Sequence, residues 1–206
     1  MQKELICMTK SIDFYFDIIS PYSYLAHQKI KFVKKKKEIT FNYKPILVGG
    51  LHNLLRITAP AFIKSKLRHM MSDCDLIAAK NNFDFTWNSK FPLNSLDIMR
   101  GYIFIKTDIK DLYLDTIFDA YWKDNLDISN EKILIFLLKK CKIDPDNFLN
   151  GIKNLNIKNQ LIDATKKAHY KEIFGVPTYV VNNKIFWGQD RLEFALDEYN
   201  KYFKLF

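Results

Sequence analysis

Ile12, Phe14 and Phe16 alternate with Asp13, Tyr15 and Asp17, a period of two that predicts a strand over Ile12 to Ile18 with one face inward. Ser20-Pro21 ends it. Serine is a good helix N-cap, and proline is favoured at the first helical position, where its missing N–H would have no partner anyway. A helix is therefore expected from Pro21 to about Lys36. The run Lys34-Lys35-Lys36-Lys37 falls at its end, where cations complement the negative end of the helix dipole. Ile39-Thr40-Phe41-Asn42-Tyr43 alternates again and predicts a second strand that stops before Pro45. Two strands joined by a helix of this length make a βαβ unit, and hence a parallel pair.

From about Leu51 to Lys171 the apolar period becomes helical. Phe62, Leu67, Met70 and Met71 recur at spacings near three, four and seven, as do Ile98, Tyr102 and Ile105. Leu112, Ile117, Tyr121, Ile133, Phe136 and Leu137 carry the pattern onward, punctuated at Asp144-Pro145 and Asn150-Gly151. Stripes of this kind are expected to pack in the core. Thr178 to Val181, a turn at Asn182-Asn183, and Lys184 to Trp187 then read as a hairpin. Gly188-Gln189-Asp190 opens a final helix, Arg191 to about Tyr202, with Leu192, Ala195, Leu196 and Tyr199 on one face. The order βαβ, helical block, ββα describes an α/β chain with a thioredoxin-like fold. Residues 11–48 and 172–206 would form the thioredoxin-like domain, and residues 49–171 an inserted all-helical domain.

Composition narrows the function. The 206 residues are 48% hydrophobic and 27% charged, with only 6 Gly and 6 Pro, as expected of one compact helix-rich unit. The net charge of +9 invites a nucleic-acid reading, but of 32 basic residues only Arg56, Arg68, Arg100 and Arg191 are arginine. Readers of phosphate and base edges favour the bidentate arginine fork. A solvated lysine surface without a nucleic-acid partner is expected, with long-range attraction for acidic small molecules. Cys7, Cys74 and Cys141 are widely spaced, and His27, His52, His69 and His169 lack metal-ligand spacing, so neither a disulfide framework nor a metal is expected. Met1 to Lys10 holds only the short Leu5–Met8 apolar patch, and no run reaches the ~18 apolar residues of a membrane span. A cytoplasmic protein without a membrane partner is the simplest reading.

Three segments could carry chemistry. Ser20-Pro21-Tyr22-Ser23 stands at the strand-to-helix junction, where a thioredoxin-like sheet keeps its redox C-x-x-C. Here both cysteine positions are serine, and disulfide exchange needs sulfur, so an oxidoreductase using this site is excluded. What remains is an anion-favouring helix start with a hydroxyl donor, suited to a thiolate brought by a ligand; a plain N-cap is the alternative. Phe174-Gly175-Val176-Pro177-Thr178 lies where such folds place a cis-proline, leaving the backbone groups of the preceding residue open to an extended ligand. A trans proline starting an edge strand is the alternative. Trp187-Gly188-Gln189-Asp190-Arg191 offers a helix start for a carboxylate and an acid for an ammonium group, or else a cap and a surface ion pair.

Together these segments resemble a family. Residues Phe14 to Ala26, with Phe174 to Thr178 and Trp187 to Leu192, are similar to signatures of 2-hydroxychromene-2-carboxylate isomerase and of its relative, the kappa-class glutathione transferase, in the DsbA-like thioredoxin clan. Phe91-Pro92-Leu93-Asn94-Ser95-Leu96 resembles the mid-chain motif, and the likeness runs in order from Ser11 to Phe203. The resemblance implies glutathione as cofactor, with Ser20 holding its sulfur as thiolate and Val176 pairing with its backbone beside cis-Pro177. Gln189 and Asp190 would hold the γ-glutamyl end. It also implies a cis–trans isomerase in which the thiolate adds reversibly to an unsaturated aromatic 2-oxo acid. Trp187-Gly188 is closer to the isomerases than to the Phe-Gly-Ser-Asp run of the transferases. Asn53, Lys64 and Asn94 are candidates for the substrate side, while His69 and Ala78-Ala79 depart from the family's substrate helix. The alternatives are a kappa-like glutathione transferase and a non-catalytic module that binds extended peptides beside Pro177. The family is often dimeric, so a homodimer is an expected partner state, with no pairing face marked in the sequence.

Overall fold

The computed structural model describes residues 11–203; Cys7 and the Leu5–Met8 patch lie outside them. Strand β1 (Ser11–Phe16) leads to helix α1 (Pro21–Lys36) and strand β2 (Thr40–Pro45). Helices α2 (Val48–Leu55), α3 (Lys64–Asn81), α4 (Leu96–Phe104), α5 (Lys110–Trp122), α6 (Glu131–Lys140), α7 (Pro145–Gly151) and α8 (Leu155–Tyr170) follow. The hairpin β3 (Thr178–Val181) and β4 (Lys184–Trp187), then α9 (Leu192–Phe203), complete the described chain. The four strands form one sheet in the order β2-β1-β3-β4. β1 runs parallel to β2, with Phe14 opposite Tyr43, and antiparallel to β3, with Phe14 opposite Tyr179. Parallel pairing of β1 and β2 is the βαβ expectation met. Asn182 and Asn183 turn the hairpin with φ of 47° and 62°, the left-handed backbone a two-residue turn requires and asparagine tolerates.

Each boundary has a local cause. The Ser20 side chain caps α1 with Pro21 at its first turn, and Lys34, Lys35 and Lys36 occupy the last turn. Asn130, Asp144 and Asn154 accept first-turn N–H groups of α6, α7 and α8 in the same way. Asn82, past α3, adopts φ 53° and closes that helix from the C-terminal side.

Three expectations are corrected. β2 does not stop before Pro45 but includes it, paired with Phe16, since β2 is an edge strand, where a proline without an N–H is tolerated. The alternation in β1 suggested an outward face for Tyr15 and Asp17, yet both are buried. β1 is an inner strand covered on both faces. Ile12, Phe14 and Phe16 join the larger core with α1, α4 and α5, while Tyr15 packs with Ile46, Leu51, Ala168, Ile173 and Val176 on the α2–α8 side. Within the helical block, Ile98, Tyr102, Ile105, Ile117, Tyr121 and Leu137 are buried as expected. Phe62 and Phe136 instead stand 72% and 63% exposed, and Met71 and Leu112 are exposed as well. Phe62 lies in a short 3-10 turn that does not continue the period of α3, and Phe136 lies off the α6 face that buries Leu134, Leu137 and Leu138. α3 buries only Cys74 and Ala78, so Met71 lies on its outer side.

Candidate functional site

The site gathers where β1 hands the chain to α1. Ser20 has extended backbone, φ −84° and ψ 117°, and its Oγ accepts the Ser23 N–H at 3.2 Å. No acidic residue occupies the first turn of α1, so the positive end of the helix dipole there has no side-chain countercharge from that turn. The Ser20 hydroxyl donates to the Val176 carbonyl at 3.4 Å, across 156 positions of sequence. That is long for an O–H···O bond, whose usual range is about 2.5–3.0 Å, so the hydroxyl is weakly held.

The Val176–Pro177 peptide is cis, as the family resemblance implies, and Phe91–Pro92 is cis as well. Thr178 Oγ1 donates to the Gly175 carbonyl at 2.7 Å, and the Pro177 carbonyl accepts the Gly188 N–H at 3.0 Å. The loop before β3 is thereby joined to the turn that enters α9. Gly188 has φ +123°, and a Cβ there would sit 2.6 Å from Asp190 Oδ1, so this turn needs glycine.

Lys29, a residue the sequence reading passed over, connects that turn to α1. Its Nζ donates to Gln189 Oε1 at 2.5 Å and to the Gln189 carbonyl at 3.3 Å. Burial lowers the Lys29 pKa and the Lys80 charge adds to this, against the carboxylates of Asp190 and Glu193, which favour the ammonium. Asp190 is exposed and pairs with Arg191 at 3.1 Å. Tyr22, half-buried beside Ser20 in sequence, donates to Asp73 Oδ2 of α3 at 2.8 Å. Burial first, then this bond and the charges of Asp73 and Asp190, hold the Tyr22 hydroxyl well above the usual phenol range. Asp190, Tyr22 and Lys29 therefore share one electrostatic neighbourhood.

Asp17 anchors the floor. Its carboxylate is fully buried, with Oδ1 accepting the Ile19 N–H at 3.2 Å and Oδ2 the Val48 N–H at 2.8 Å. Its carbonyl accepts the Ser20 N–H at 3.1 Å. Desolvation raises the Asp17 pKa to about 6, despite the opposing bonds from Ser95, Val48 and Ile19. Asp17 and Tyr22 lie inside the segment resembling the family signature, so that segment was the available signal. Lys29 and Asp73 had none, because only the fold brings α3 and the α9 entry to α1.

The substrate-side candidates are dispersed. Asn53 is exposed near the end of α2, and Lys64 is exposed at the first position of α3. Asn94 Oδ1 accepts the Leu96 N–H at 3.0 Å ahead of α4, an Asx-type cap. Among the described residues, none of the three hydrogen-bonds to Ser20, whose partners are Asp17, Ser23, Tyr24 and Val176. Chemically, the centre offers a hydroxyl donor, a helix N-terminus and backbone groups of an extended loop: a cradle for an anion and a peptide-like ligand. Cys74 and Cys141 are buried free thiols, and burial pushes both above the usual thiol range.

Residues 11–200 match the model of the DSBA-like thioredoxin domain. The chain is 27% identical over 189 residues to 2-hydroxychromene-2-carboxylate isomerase of Sphingobium xenophagum, covering 91% of this chain and 96% of that protein. It is 24% identical over 203 residues to glutathione S-transferase kappa 1 of Caenorhabditis elegans, covering 90% and 89% of the two chains. A solved structure of 2-hydroxychromene-2-carboxylate isomerase superposes with a TM-score of 0.85 at 22% identity, covering 93% of this chain and 95% of that one.

Proposed function

The chain belongs to the DSBA-like thioredoxin domain family, and from that premise we propose that it is a glutathione-dependent cis–trans isomerase acting on unsaturated aromatic 2-oxo acids. Its relatives are named as isomerases and glutathione transferases, which supports an enzyme. The observation that carries the finer reading is the Ser20 hydroxyl, seated at the start of a 16-residue helix and only weakly engaged by the Val176 carbonyl at 3.4 Å.

The residues present fit glutathione. Bound there, glutathione would supply a thiolate nucleophile able to add reversibly to an activated carbon–carbon double bond. Ser20 is free to turn its O–H from Val176 toward that sulfur, and the α1 N-terminus favours the anionic form. Val176 would pair its backbone with the peptide part of the ligand, beside Pro177. Gln189 would face the γ-glutamyl end: with its oxygen accepting from Lys29, its NH₂ group remains as a donor. Asp190 would take the ammonium. Asn53, Lys64 and Asn94 are the proposed substrate contacts.

A glutathione-dependence assay tests the reading. Purified protein should interconvert cis and trans isomers of aryl-substituted unsaturated 2-oxo acids only with reduced glutathione present. Transfer of glutathione to chlorodinitrobenzene with no isomerisation would replace the isomerase by a transferase. Peptide binding untouched by Ser20→Ala, with no glutathione affinity, would leave a non-catalytic module.

A further inference from the structure

A cavity of about 190 Å³ opens between α2, α4 and α8, and none of Ser20, Val176, Pro177, Gln189 or Asp190 lines it. Leu54, Leu161 and Ile162 form its apolar wall, and Arg100, Lys158 and Lys166 stand around it. Leu54 and Ile162 are among the large hydrophobic side chains left in water, 43% and 48% exposed. A ligand that covered them would be favoured by the apolar surface it removes from water. The volume lies below the ~300–1,000 Å³ of drug-sized pockets, which limits the occupant to a small molecule.

The charges around the cavity share one sign. Three cations line it and no carboxylate does. Arg100 is poorly neutralised: its Nη1 reaches Asp97 at only 3.4 Å, and Asp97 is 62% exposed. Its Nε is buried with no hydrogen-bond partner, an unsatisfied donor that a bound acceptor would relieve. Neither Lys158 nor Lys166 makes an ion pair among the described residues. A guanidinium that carries an unpartnered N–H suits a planar two-oxygen anion, and the apolar wall suits a hydrocarbon tail. We propose that this cavity is a binding site for a small apolar monocarboxylate, its carboxylate on Arg100 with Lys158 and Lys166 beside it and its tail against Leu54, Leu161 and Ile162.

The site stands independently of the reading given to Ser20. Calorimetric titration of the full chain with octanoate, 2-naphthoate and octan-1-ol tests it, the two acids separating aliphatic from aromatic tails. At least one acid should saturate with a Kd in the micromolar-to-millimolar range, and octan-1-ol should bind at least about tenfold more weakly. Arg100→Met should weaken the acid about tenfold, and Leu54→Trp, which fills the cavity from its exposed rim, should abolish binding. Ser20→Ala should leave acid affinity unchanged. If Arg100→Met does not fold by circular dichroism, Lys158→Gln replaces it, with a loss of severalfold expected. No saturation through the millimolar range, an alcohol that binds as well as the acids, or acid binding lost in Ser20→Ala but kept in Leu54→Trp would each overturn the proposal.

Discussion

Asp17 is a fully buried carboxylate held by backbone N–H groups of Ile19 and Val48 and by Ser95, and because desolvation outweighs these bonds its ionisation opposes folding. With a folded pKa near 6 against an ordinary 3.8, the folded protein holds this proton more tightly than the unfolded chain does. Asp17 therefore contributes most below pH 4, and that contribution is lost as pH rises through 6, by an amount on the order of 3 kcal/mol. Thermal unfolding of wild type and Asp17→Asn from pH 4 to 7 should show the wild type losing stability relative to the variant as pH rises; parallel curves would remove this role. Lys29 is the other residue-scale lever. Lys29→Met removes both bonds to Gln189, and amide exchange at Gly188 to Asp190 should quicken about tenfold, the equivalent of one charged hydrogen bond of about 1.5 kcal/mol. The Ser20 cap was legible because Ser-Pro after a strand is a local signal, whereas the cis bond at Pro177 was legible only through the family resemblance, since Val-Pro-Thr before a strand suits a trans proline equally. Asp17 looked like an outward residue, since only the cover supplied by α2 and α8 makes the second face of β1 a core.

Among elements, the terminal ones were legible nearly to the residue. α1, with Ser20 as cap, Pro21 inside and lysines at its end, was read correctly from side chains within a few positions of each boundary. The β3–β4 hairpin was equally clear from two asparagines between alternating runs. The helical insert was legible as helices but not as faces, because Phe62, Met71, Leu112 and Phe136 are apolar yet outward. Which face is inward depends on partners far along the chain, as at the α4–α7 crossing. A Cβ at Gly101 of α4 would lie 2.1 Å from Phe148 Cζ and 2.7 Å from the Tyr113 hydroxyl. Gly101→Ala should destabilise the protein by about 1–3 kcal/mol, an overpacking effect readable as a lower urea midpoint; an unchanged midpoint would mean that Phe148 yields freely.

For the whole molecule, His27 acts opposite to Asp17. It is buried between the Tyr43 hydroxyl and Asp115, each at 2.7 Å, and desolvation lowers its pKa against the pull of Asp115. The unfolded chain then takes up the proton first, so stability falls as pH drops below about 6.5. Replacing it with glutamine should flatten the acid limb of the stability curve, and an equally steep limb would assign that limb to other groups. Fold and family were legible together because a strand, a capped helix and a cis-proline loop recur in fixed order. The substrate side was not, since Asn53, Lys64 and Asn94 lie on separate segments with no local pattern to join them. The centre of the functional reading is a thiolate held at Ser20, and titration with reduced glutathione examines it most directly. Wild type should bind with a Kd between micromolar and millimolar and show thiolate ultraviolet absorbance at neutral pH, with that absorbance lost in Ser20→Ala. No binding by the wild type, or an undiminished thiolate signal in Ser20→Ala, would contradict it.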